Sequence, residues 1–74
     1  MNGAPIVVHR LSPSGGRRVT VRRGERDEIL GLAHNDYDVV VFLEQAGILD
    51  PEPLLDDPTW VEWRGGRAHQ WGAA

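Results

Sequence analysis

The sequence predicts a small α+β domain, an antiparallel sheet packed on one helix. Three observations predict it. Two β-rich runs, IVVHRL (6–11) and RVTVR (18–22), flank the turn residues SPSGG. A run at 35–47 carries apolar residues at helical spacing between an Asn and a Gly. Two alternating runs then flank Gly65-Gly66. The length, 74 residues, allows one domain spanning 1–74, with order expected over about 5–71 and flexible tails at 1–4 and 72–74. A domain this small buries only about 60% of its unfolded surface, so modest stability is expected.

The first hairpin has a defined register. A loop from Ser12 to Gly15 places Ile6 opposite Val21 and Val8 opposite Val19. These four make one apolar face, while Val7, His9, Arg18, Thr20 and Arg22 fall on the other, because strand side chains alternate. Residues 28–33, EILGLA, fit a short third strand better than a helix, since Gly31 weakens a helix interior. Residues 36–46 are expected to be helical. Asn35 is an N-cap with Asp36 and Asp38 in the first turn. Val39, Phe42, Leu43 and Ala46 share one face, and Gly47 suits a left-handed cap with Ile48 folding back on Leu43. The stretch 49–58 has three prolines and reads as a linker with one helical turn at 53–56, its leucines Leu54 and Leu55 plugging the core edge. Gly65-Gly66 predicts a two-residue type I′ turn, which sets Trp60 opposite Trp71, Glu62 opposite His69 and Trp63 opposite Ala68. The expected core is Ile6, Val8, Val19, Val21, Leu30, Leu32, Val39, Phe42, Leu43, Val61 and Trp63.

Charge is distributed unevenly. Residues 1–26 hold six arginines and one acid, residues 27–62 ten acids and no arginine, and residues 63–74 two arginines. There is no lysine, which excludes a P-loop lysine and Schiff-base chemistry. There is no cysteine, which excludes disulfides and thiolate zinc sites. No signal-peptide pattern or apolar run of spanning length is present, so the cytoplasm is the expected compartment.

The order hairpin, helix, hairpin resembles the ubiquitin-like β-grasp fold, and VEWRGG resembles the Arg-Gly-Gly tail of ubiquitin-like modifiers. That resemblance implies conjugation through Gly66, yet eight residues follow it, and the alternation continues across the pair as a turn requires. The chain also resembles short, Arg-rich, lysine-free uncharacterised bacterial proteins, which implies no function.

Motifs for catalysis are absent. His9, His34 and His69 are never four residues apart, so no helical zinc pair exists. HNDYD (34–38) reads as a helix cap, not a calcium loop. The hydroxyls Ser12, Ser14, Thr20, Thr59 and Tyr37 have no nucleophile-elbow context. No catalytic residue, metal, cofactor, small-molecule substrate or membrane contact is expected. The expected function is a small non-catalytic protein-binding or regulatory module, with a protein partner or a second copy as ligand. Its expected contacts are Trp60, Trp71, Tyr37 and Val41, since aromatic residues bordered by charge resemble interface composition. The alternative is a nucleic-acid-binding protein that places Arg10, Arg17, Arg18, Arg22 and Arg23 on phosphates.

Overall fold

The computed structural model describes residues 3–72. The expectation of flexible tails falls partly on residues 1–2 and 73–74, which lie outside the described residues. The elements run β1 (Ile6–Leu11), β2 (Arg17–Arg23), β3 (Arg26–Ala33), α1 (Asp36–Gln45), a 3-10 turn (Glu52–Asp56) and β4 (Val61–Trp63). The architecture is α+β: one four-stranded sheet in the order β3-β2-β1-β4, with α1 on one face.

The first hairpin forms in the expected register from Ile6 to Val8, and past Val8 a bulge shifts it by one, so that Leu11 faces Arg17 and not Gly16. Ile6 faces Val21 and Val8 faces Val19. All four are buried against Val39 and Leu43 of α1. The helix ends are built by local chemistry. Asn35 Oδ1 accepts the Asp38 amide at 2.8 Å, and Asp38 Oδ2 accepts the His34 amide at 2.9 Å. At the other end, Gly47 takes φ 94°, its amide reaches Glu44 O, and Ile48 N donates to Leu43 O at 3.0 Å. That is the Schellman pattern, and it returns Ile48 to the core. In the linker, Leu55 is buried and Leu54 half-buried.

Two expectations are corrected. The third strand is real, but it carries a β-bulge. Gly31 pairs with Val19 and Ile29 with Thr20, so Leu30 is an extra residue. A bulge inverts the alternation beyond it. Leu32, expected in the core, is therefore 43% exposed, and Ala33 is fully buried instead. Leu30 stays half-buried. The bulge also lets α1 approach the sheet at Gly31, where a Cβ would lie 2.6 Å from Phe42 Cζ. Only glycine fits there.

The second correction concerns the C-terminal segment. Gly65-Gly66 does not make a hairpin, and the sheet is mixed rather than wholly antiparallel. β4 pairs with β1 in parallel, Ile6 with Val61 and Val8 with Trp63. Gly65 is left-handed at φ 68°, but Gly66 is not among the positive-φ glycines, so the I′ conformation is not adopted. Residues beyond β4 wrap around Arg17 instead. Its Nε donates to His9 O at 2.6 Å, Nη1 to Arg67 O and Gln70 O, and Nη2 to Arg64 O, each at 2.9 Å. Arg17 is completely buried. A buried guanidinium is tolerable only when its donors are satisfied. A hairpin ladder would have consumed the carbonyls that satisfy them.

Candidate functional site

Helix α1 covers the face of the sheet that carries Ile6, Val8, Val19 and Val21. The opposite face is left open. One row across it reads Ile29, Thr20, Val7, Glu62 from β3 to β4. The next contains Leu32 and Arg18, then His9 with Arg10, because β1 also has a bulge between Val8 and Leu11. That bulge sets two consecutive β1 side chains over Arg18. The result is an open groove of about 380 Å³, lined by His9, Arg10, Arg18, Arg64, Leu32 and Pro13 among others.

The charge of this groove is not balanced. Arg64 Nε meets Glu62 at 2.7 Å. Arg22 meets Asp27 at 3.2 Å, further along the same face. Arg10 and Arg18 have no carboxylate within ion-pair distance among the described residues. His9 Nε2 lies 2.9 Å from Thr20 Oγ1. Partial burial, and then the positive charges of Arg64 and Arg18, hold the His9 pKa below the ordinary histidine value. The groove's uncompensated charge is that of Arg10 and Arg18.

A second cluster lies on the helix side, in the segment that wraps Arg17. Its Cζ sits 5.2 Å from the Trp63 ring centre and 5.9 Å from that of Trp71. The two indoles pack edge to face at 5.7 Å. Trp63 Nε1 donates to Leu55 O and Trp71 Nε1 to Asp36 Oδ1. His69, left-handed at φ 65°, puts Nδ1 2.6 Å from Asp36 Oδ2 and Nε2 2.5 Å from Asp56 Oδ1. Both ring nitrogens face carboxylates, so both must donate, which requires the imidazolium form. The hydrogen bonds from Asp56 and Asp36 raise its pKa accordingly. With both nitrogens engaged, His69 has no free ring nitrogen to act as a base. A shallow groove of about 600 Å³ runs beside it, lined by Asp36, Tyr37, Val40, Glu52, Leu55, Asp56 and His69.

The site residues expected from sequence are thus dispersed. Tyr37 is 73% exposed and Trp60 41% exposed. Trp71 is half-buried, and its aromatic neighbour is Trp63, not Trp60. The expected Trp60–Trp71 pair needed the hairpin that does not form. Val41 is half-buried on α1. Of the five arginines proposed for phosphate, Arg17 is buried and bonded to carbonyls, so it is not available to a ligand. Arg22 and Arg23 pair with Asp27 and Glu28, and Arg10 and Arg18 remain. Sequence reasoning missed the groove because it depends on two bulges. Alternation alone did place His9 and Arg18 on the uncovered face. Among the described residues, no helix is long and apolar enough to cross a membrane. Comparison with protein-family models, curated proteins and solved structures found no match to this chain.

Proposed function

We propose that this protein is a non-catalytic protein-binding module, and that the uncovered face of the sheet is its binding surface. One observation carries this reading. Helix α1 covers one sheet face, and the other presents Ile29 at 64% and Leu32 at 43% exposure beside the uncompensated Arg10 and Arg18. Apolar side chains ringed by arginine suit a protein interface, where Arg is enriched. A nucleic acid is the weaker ligand. Two uncompensated arginines neutralise few phosphates, the groove lining includes no Phe, Tyr or Trp ring for base stacking, and the chain carries a formal charge of −3. The cytoplasm is the compartment we propose, since a chain without cysteine needs no oxidising surroundings.

The test is site-specific photo-crosslinking in the native cell. A photoreactive residue at Ile29 or Leu32 is expected to give a discrete protein adduct that Arg18→Glu abolishes. The same residue at Glu44, on the exposed side of α1, is expected to give none. Equal crosslinking from both faces, or a nucleic-acid adduct from the sheet face, overturns the proposal.

A further inference from the structure

Leu49 is 90% exposed, the largest exposure of any large hydrophobic side chain among the described residues. It lies just past the Gly47–Ile48 cap that ends α1, and Glu52, three residues on, sits beside Tyr37 and Val40 of the helix. Its neighbours are acidic: Asp50, held in the left-handed region at φ 50°, and Glu52 in the first turn of the 3-10 segment. Neither Asp50 nor Glu52 has a basic partner within ion-pair distance among the described residues. The chain thus displays an apolar side chain flanked by two free carboxylates on one side. On the opposite side it displays a groove with two free arginines and an exposed Leu32. The two features are complementary in charge and in apolar character. Glu52 lies beside Tyr37 and Val40 of α1, and the Arg10–Arg18 groove lies on the other face of the sheet, so the sheet separates the two within one molecule.

We propose that the groove formed by Arg10, Arg18 and Leu32 receives the Leu49–Glu52 loop of a second copy of this chain. Leu49 packs on Leu32, and Asp50 and Glu52 meet Arg10 and Arg18. This rests on the reading of the open sheet face as a protein-binding surface and names its occupant. Because the loop and the groove lie on opposite sides of the sheet, two copies cannot make both contacts with each other at once, so the interface is heterologous and repeats head to tail. Exposed ion pairs of this kind are individually weak and screened by salt, so the association is a weak one that salt weakens further.

Sedimentation velocity on the full chain tests this. Association is expected to grow with concentration at low salt and to be lost at high salt. Arg18→Glu kills the groove and leaves the loop. The double change Leu49→Ser with Asp50→Asn kills the loop and leaves the groove, and asparagine tolerates the left-handed backbone at 50. All three positions are exposed, so folding is unaffected, and an unchanged far-UV circular dichroism spectrum verifies it. Each variant alone is expected to be monomeric. Mixed in equal amounts, they are expected to form a one-to-one dimer that grows no further, because one good groove meets one good loop. A wild-type chain that is monomeric up to millimolar concentration overturns the proposal. So does a mixture that stays monomeric, or a loop variant that associates like the wild type. If the chain is monomeric while the Leu32 photo-adduct to another protein persists, the binding surface stands and its occupant is not a second copy.

Discussion

Arg17 lies with its guanidinium 5.2 Å from the centre of the Trp63 ring, buried and without a carboxylate partner. Four backbone carbonyls and two indole faces replace the water that this charge would have outside. Three of the carbonyls belong to Arg64, Arg67 and Gln70, so one side chain on β2 organises the whole segment after β4.

Replacing Arg17 by lysine keeps the charge but loses the planar fork, and most of the carbonyls go unpaired. The expected cost is about 3 kcal/mol, from several buried acceptors left unsatisfied. Urea unfolding measures it, and the near-UV signal of Trp63 and Trp71 should collapse in step. A loss below about 0.5 kcal/mol, the range of ordinary surface changes, would mean the arginine is not the organiser.

His69 makes stability depend on pH in a defined direction. Its folded pKa is raised, so its contribution is fully present below the unfolded value of 6.5 and is lost as pH rises through the folded value. Side-chain exposure of 37% and solvent screening keep the effect small. His9 has the opposite sign. Its pKa is lowered, so it disfavours the folded state as pH falls through the ordinary histidine range. In His69→Gln the alkaline-side decline should vanish while the acid-side decline persists. An unchanged pH profile would show that the clasp with Asp36 and Asp56 contributes nothing.

Gly31→Ala adds a methyl group where Phe42 already sits, 2.6 Å away. Overpacking of this kind costs about 1–3 kcal/mol. Phe42→Leu should recover part of it, giving a favourable coupling in a double-mutant cycle. Purely additive losses would place the defect in the strand and not at the contact.

Asn35→Ala removes the acceptor of the Asp38 amide at the start of α1. The expected loss is about 1 kcal/mol in thermal or urea unfolding, and Asn35→Asp should retain most of the stability. If the aspartate variant loses as much as alanine, the cap is not the cause.

Much of the fold was determined by local sequence. The Ile6–Val21 register follows from alternation and the SPSGG turn. The helix ends follow from Asn35 and from Gly47-Ile48, whose caps need only a few neighbouring residues. These features are legible because each is satisfied within a few residues or by a strict period of two. Tertiary structure alone decided the rest. The bulge at Leu30 turned Leu32 outward and Ala33 inward, and alternation carries no sign of a bulge. The double glycine was a sound turn signal on local grounds, yet a buried arginine about fifty residues away took the carbonyls of the segment that follows it. The candidate groove inherits this: strand alternation set His9 and Arg18 on the open face, and the β1 bulge brought Arg10 in beside them. A hydrogen-bonding need that no local partner meets is filled only when the whole chain is in place.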